Sequence, residues 1–467
     1  MKYISTRGEA PAIGFLDAVL SGLAPDGGLY VPETWPSFTA DEIAAFAGKP
    51  YHEVATEVLA RFAGDEIARE DLAAICQEAY ASFAHPATTP LKQLAPGLFL
   101  LELFHGPTLA FKDVAMQLLG RLYDHILSTR NRNLTIVCAT SGDTGGAAVE
   151  AFRGRTNVKI VAMFPDGRIS EVQRRFMTTV EDANVQCLSV GGTFDDCQAI
   201  LKGMFADGQF AQAVDLSAVN SINWARVAAQ SVYYFTAAVA LGAPLREVAF
   251  AIPTGNFGDA YAGYVASKLG LPIRSLTAAT NANDIVARAI EDGKYERGQV
   301  AATSSPAMDI QVSSNFERLY FEAVGRDGVE TGRAFRAFAG AGALDIPPSA
   351  LAAIREIFRG RAVSEAETAR TMVSTLNETG EMIDPHTAVG VTAAQAALAA
   401  GGVDAPLVVL STAHPAKFPE AVLAACGLDA PAPRGAGDLF QRPERFESVA
   451  ADAEAVKARV RAFARAE

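Results

Sequence analysis

The sequence predicts an α/β chain with two parallel-sheet domains and a mostly helical N-terminal domain. Three observations predict it. From residue 134 onward, short apolar runs rich in β-branched residues recur at intervals. Helix-period segments separate them, and strands that alternate with helices imply βαβ units and parallel sheets. Before residue 92 the apolar positions instead follow helical spacing.

Taken in order, residues 41–46, 51–62 and 70–83 read as helices, and 87–91 as a connector. The first alternating region runs strand 134–139, helix 147–152, strand 159–164, helix 171–180, strand 185–190 and helix 195–205. A long helix over 224–240 leads into the strand 248–252. The second region, roughly 247–428, adds strands 273–277 and 407–410 and helical segments such as 260–269 and 388–399. A Pro/Gly-rich link over 430–435 precedes a charged helix, 450–465, expected to dock as a tail. The expected domains are 1–92, 93–133 with 240–430, 134–239, and a tail over 431–467.

Composition narrows the function. At 467 residues the chain exceeds one ordinary core, and with 50% hydrophobic and 20% charged residues it can fill several. A net charge of −13 with no basic run disfavours a nucleic-acid partner. The five cysteines form no Cys-x-x-Cys pair, and Cys138 falls in a strand pattern as packing. The six histidines lack metal-ligand spacing, so no metal is expected. No apolar stretch reaches membrane-spanning length, and the N-terminus lacks a signal core. A cytoplasmic location is expected.

Four kinds of segment carry chemistry. In His105-Gly106-Pro107-Thr108-Leu109-Ala110-Phe111-Lys112-Asp113, one lysine stands among small and apolar residues just ahead of a helical pattern. Such a lysine is suited to bond an aldehyde; the alternative is an amine that snorkels to water. Thr140-Ser141-Gly142-Asp143-Thr144-Gly145-Gly146 links a strand to a helix. Its hydroxyls and the helix N–H groups suit a carboxylate, or serve as an N-cap. Asp143 would repel an anion there, so it reads as facing a cofactor or capping the helix. Pro253-Thr254-Gly255-Asn256-Phe257-Gly258-Asp259 has the glycines of a phosphate cradle, or of a tight turn with no ligand. It is neither a Walker loop nor a dinucleotide fingerprint. Ser411-Thr412-Ala413-His414-Pro415-Ala416-Lys417-Phe418 offers a hydroxyl for a ring nitrogen, while His414 and Lys417 each have a structural reading too. Open α/β sheets bind ligands beyond the carboxyl ends of their strands, where these last three loops lie. Of two polar clusters, 220–224 begins the long helix with Ser221 as an N-cap, and 313–318 suits a second anion or a helix start.

Together these residues resemble threonine synthase, of the fold-type II (tryptophan-synthase-β-like) group of pyridoxal-phosphate enzymes. The likeness covers nearly the whole chain. It includes Tyr3-Ile4-Ser5-Thr6-Arg7-Gly8, Ala24-Pro25-Asp26-Gly27-Gly28-Leu29-Tyr30-Val31-Pro32, the lysine motif, the three loops and Ser313-Ser314-Asn315-Phe316-Glu317-Arg318. The resemblance implies pyridoxal 5'-phosphate as cofactor, bound to Lys112 as a Schiff base. It gives the cofactor phosphate to Gly255, Asn256, Phe257 and Gly258, with Asp259 at the adjoining helix start, and the ring nitrogen to Thr412. Ser141, Asp143 and Thr144 would lie by the substrate's amino-acid end. Asp143 stands where many relatives have Asn. Ser314, Asn315 and Arg318 are candidates for the substrate phosphate.

The implied reaction turns O-phospho-L-homoserine and water into L-threonine and phosphate, a carbon–oxygen lyase step on a phosphate ester that ends threonine biosynthesis. Lys112 would take the Cα proton. The expected assembly is a monomer or homodimer. The nearest alternatives are a fold-type II threonine or serine dehydratase, or a phospho-lyase on the same substrate. A non-catalytic cofactor-binding relative is a further alternative.

Overall fold

The computed structural model describes residues 1–433 and 436–466. The chain divides into two compact units, Met1–His105 with Ser221–Pro431, and Gly106–Asn220 with the chain from Ala432 onward.

The first unit is built on a six-stranded sheet in the order Phe358–Ala362, Ile273–Thr280, Val248–Pro253, Leu407–Ser411, Leu98–Glu102, Leu91–Ala95. All neighbours are parallel except the last pair. One row of the register reads Phe358, Leu276, Phe250, Val408, Phe99. Val248–Pro253 is buried along its whole length, as a strand covered on both faces must be. On one face the helix Pro385–Ala399 packs Ala388, Val391 and Ala394 against Leu100, Ala251 and Val409. Gly390 permits this contact, because a Cβ there would stand 2.8 Å from Val409 Cγ1. On the helix Trp224–Ala240, Tyr234 meets Phe250, ring centroids 4.8 Å apart.

The N-terminal helices Ala40–Ala44, Tyr51–Ala63 and Arg69–Tyr80 fall close to their expected places. They belong to the first unit. Trp224 is the reason: its ring packs on Tyr3 at 5.8 Å and on Phe62 at 5.4 Å.

The second unit carries a five-stranded parallel sheet in the order Glu447–Ala450, Val185–Gly191, Val158–Pro165, Leu134–Ala139, Leu216–Ser217. Val137, Val161, Leu188 and Val190 pack with Ile200 and Met204 of one helix and with Val456 and Val460 of the C-terminal helix Ala453–Arg465. The helix Lys112–Arg130 lies against Asp143–Phe152.

This division differs from the expected boundaries in three ways. Residues 106–133 join the second unit, because Gly120 seats their helix directly on the backbone of Ala151. Residues 221–239 join the first, through Trp224 and Tyr234. The tail is part of the second unit, since Glu447–Ala450 pairs with Val185–Gly191. That strand, like Phe358–Ala362 and Leu91–Ala95, lies at a sheet edge and lacks the apolar run that marks a central one. Arg434 and Gly435 of the expected link lie outside the described residues.

A Cβ on Gly120 would stand 2.3 Å from Ala151 O. Gly120→Ala is expected to lose about 2 kcal/mol in urea unfolding, the clash outweighing a helix-propensity gain of about 1 kcal/mol. Gly203→Ala, in the helix Phe194–Ala206 with nothing within 4 Å of the added carbon, is expected to stabilise instead.

Candidate active site

In the second unit the turn before Lys112 is held by Asp113. Its carboxylate accepts from Thr108 N and Thr108 Oγ1, both at 2.7 Å. Leu109 takes a positive φ of 61°, and Gly106 leaves room that a Cβ would lose to Asp113. Lys112 therefore opens the helix Lys112–Arg130 from a fixed turn. Its side chain is 13% exposed, and Nζ lies 3.4 Å from Asp143 Oδ2.

The loop after Leu134–Ala139 centres on Thr140, whose Oγ1 accepts from Gly142 N and Gly145 N, each at 2.9 Å. Gly142 has φ 130° and sits where a Cβ would run into Gln173. Gln173 Nε2 donates to Asp143 Oδ1 at 3.0 Å. Asp143 thus faces Lys112 and Gln173. A carboxylate so placed would repel a substrate carboxylate; beside it Ser141 is exposed and Thr144 half-buried.

In the first unit, the loop after Val248–Pro253 leads into the helix Gly258–Lys268. Phe257, the N-cap residue, is left-handed at φ 62° and makes no side-chain cap. The first-turn N–H groups therefore have no side-chain acceptor, which suits an anion. Gly255 approaches the segment 306–308, and a Cβ there would stand 3.2 Å from both Ala307 O and Met308 Cα. These features fit a phosphate group. The Phe257 ring packs between Phe316 and Phe358, so this residue offers its backbone to the loop. Asp259 stands at the helix start as expected, but its carboxyl bonds Tyr233 and Tyr234.

The segment 313–318 braces this loop. Ser313 Oγ donates to Gly255 O at 2.7 Å, and Asn315 Nδ2 donates to Asn256 O at 3.0 Å and Ser221 O at 3.1 Å. Arg318 is fully buried, donating to Tyr30 O at 2.9 Å and Ile222 O at 2.6 Å and pairing with Asn315 Oδ1. These bonds engage Asn315 and Arg318 within the fold, where they brace the loop. Ser314 is half-buried and stays a candidate. Next along, Glu317 accepts from Thr6 Oγ1 at 2.7 Å and pairs with Arg7 at 2.9 Å. The N-terminal signature and the 313–318 signature are thus in contact.

Thr412 is buried just beyond Leu407–Ser411, the strand beside Val248–Pro253. Parallel pairing brings the two loops out at one sheet edge. The start of Pro385–Ala399 bonds the end of one strand and the segment 306–308 that Gly255 approaches. Thr387 Oγ1 is 3.1 Å from Ser411 Oγ, and His386 Nε2 accepts from Ala307 N at 3.2 Å. Asp384 fixes the His386 ring through Nδ1 at 2.7 Å. His414 accepts from Ala416 N at 3.1 Å, its pKa lowered chiefly by burial, and this is a structural role.

Arg226 is a residue that sequence reasoning missed. It is 4% exposed, and Nε and Nη1 are buried with no hydrogen-bond partner. Burial pulls its pKa down to about 10. Gln230, one turn along the same face, lies 3.8 Å from where a Cβ on Gly258 would be. Arg226 is thus a buried cation with two unsatisfied nitrogens, one helical turn before Gln230. The sequence held a signal: it is the sole charged residue in Trp224–Ala240.

A helix-heading lysine and a glycine loop after a parallel strand define the class of pyridoxal-phosphate enzymes of fold-type II. Residues 84–357 match the family described as pyridoxal-phosphate dependent enzyme. Residues 2–80 match the threonine synthase N terminus, and 387–460 the threonine synthase C-terminal family. The chain is 51% identical to a threonine synthase of Pseudomonas aeruginosa across 95% of each. It superposes on the PLP-bound threonine synthase of Brucella melitensis with TM-score 0.98 and 54% identity, covering all of both chains. The yeast threonine synthase gives TM-score 0.94 at 38% identity, over 99% of this chain and 98% of that one. The chain belongs to the threonine synthase family.

Thr140→Val would leave two buried N–H groups without an acceptor. A loss of about 2 kcal/mol is expected in urea unfolding.

Proposed function

We propose that the chain converts O-phospho-L-homoserine and water to L-threonine and phosphate, with pyridoxal 5'-phosphate as cofactor. The observation that carries this reading is the extent of the likeness. It reaches 2–80 and 387–460, beyond the 84–357 region that matches pyridoxal-phosphate enzymes in general.

Lys112 bonds the cofactor aldehyde through Nζ. The backbone of Gly255, Asn256, Phe257 and Gly258 holds its phosphate, and the Thr412 hydroxyl meets the ring nitrogen. A neutral hydroxyl leaves that nitrogen largely unprotonated. When bound, the cofactor ring withdraws electrons from the substrate carbons beside it. With the cofactor bound, the Lys112 amine would be the group placed to remove the substrate's Cα proton. Asp143 holds this amine by charge, and Gln173 holds Asp143. Ser141 and Thr144 receive the substrate carboxylate. Arg226 receives the phosphate that leaves from Cγ, with Ser314 as a further donor. Support for Arg226 is its buried guanidinium without a partner at two nitrogens.

A monomer or homodimer in the cytoplasm is part of the proposal. It is supported by five unpaired cysteines and by exposed large apolar side chains that are spread along the chain. Among the described residues no helix is long and apolar enough to cross a membrane.

The test is product analysis with O-phosphohomoserine and cofactor. Equal amounts of L-threonine and phosphate are expected; 2-oxobutyrate and ammonia in place of threonine, with the same phosphate, would make the chain a lyase. Lys112→Ala is expected to lose the visible absorbance of the lysine-bonded cofactor and all turnover; turnover at the unsubstituted rate refutes the assignment. Arg226→Gln is expected to raise KM for O-phosphohomoserine at least about tenfold, from roughly 2 kcal/mol of charge-assisted bonding. The absorbance of the bound cofactor should not change.

A further inference from the structure

Asp259 is the acid in the first turn of the helix that follows the phosphate loop. It is 4% exposed. Tyr233 and Tyr234 both donate to its Oδ1, and the Tyr234 hydroxyl also lies 2.9 Å from the Asp259 carbonyl oxygen. Oδ2 is buried with no hydrogen-bond partner. The titratable groups that face this carboxyl are the two tyrosines, with Tyr51 behind Tyr233, and none is a cation. Burial raises the pKa of both phenols, so they stay neutral donors.

An ionised Asp259 would be a buried anion with one bare oxygen. It would also lie one residue from backbone N–H groups that hold a phosphate dianion, and like charges so close oppose each other. We propose that Asp259 takes up a proton when the cofactor phosphate binds, so that this loop binds phosphate and proton together. The inference rests on reading Gly255 to Gly258 as the phosphate loop.

The proton comes from solvent and goes to the carboxyl; no bond of the cofactor changes. Once protonated, Asp259 keeps Oδ1 as acceptor for both phenols, and the loop faces its anion with no opposing charge. Asp259 is thus a positioning residue. Burial, partly offset by the bonds from the two tyrosines, already pushes its pKa up to about 7. Bound phosphate raises it further. Cofactor affinity is therefore full below about pH 7 and falls as pH rises above it, by about tenfold per unit until the bound-state pKa is reached.

The test strips the cofactor from the full chain and follows rebinding by calorimetry at about pH 8, in buffers of different ionisation enthalpy. Pyridoxal, which has the aldehyde but no phosphate, accounts for protons exchanged at Lys112. The unsubstituted chain is expected to take up about one more proton with pyridoxal phosphate than with pyridoxal, and Asp259→Asn to abolish that excess. Equal uptake with the two aldehydes overturns the proposal, and so does an excess that survives in Asp259→Asn. Should that variant not fold, Tyr234→Phe serves. Loss of a donor to the carboxylate leaves Asp259 more protonated before binding, so the excess should shrink, and an unchanged excess overturns the proposal. A chain that binds no pyridoxal phosphate at all refutes the functional reading instead.

Discussion

A helix that starts inside a protein without a cap leaves N–H groups with no acceptor, and the first unit is arranged around that deficit. At Gly258–Lys268 the N-cap is Phe257, which has no oxygen to offer. Its neighbours hold the loop in place. Ser313 and Asn315 take its carbonyl oxygens, Gly255 lets 306–308 approach, and His386 holds Ala307 from behind. The carbonyls are satisfied from one side and the N–H groups are left for an anion. Such an arrangement is stable only because each brace is itself braced, as Asp384 braces His386 and Glu317 is held by Thr6 and Arg7.

Two buried arginines in this unit show how partners decide a role. Burial pulls the pKa of each down to about 10. Arg318 donates to the carbonyls of Tyr30 and Ile222 and pairs with Asn315, and its charge is spread over fixed dipoles. Arg226 has two nitrogens without partners. Leaving a buried cation so poorly satisfied costs several kcal/mol. An anion that arrived beside Arg226 would offset that cost. Residue type alone does not separate the two.

This sets how far the sequence can be read. The central strands were legible because burial on both faces demands continuous apolar runs: 134–139 was expected and Leu134–Ala139 is found. The fold-type II reading and the loops were legible because glycines and hydroxyls after a strand have few other uses. Edge strands such as Glu447–Ala450 were not, since half their groups face water and their composition is that of a loop. Nor was the destination of a donor. Asn315 and Arg318 look like anion ligands in sequence, yet their partners are carbonyls distant in the chain, at Ser221, Ile222 and Tyr30. The unit boundary was hidden for the same reason, because it depends on which face of Lys112–Arg130 Gly120 occupies.

The proposed chemistry needs two phosphates treated differently, and these residues can do so. The cofactor phosphate stays, and neutral backbone donors with a rigid brace hold an anion without needing to let it go. The substrate phosphate must be recognised and then released. A buried guanidinium suits recognition, because an amino acid that lacks the phosphate leaves Arg226 uncompensated and so binds at a penalty. Threonine is such an amino acid. Once the phosphate has left Cγ, the product no longer offsets the buried charge, and the interaction that selected the substrate turns into one that favours release of the product.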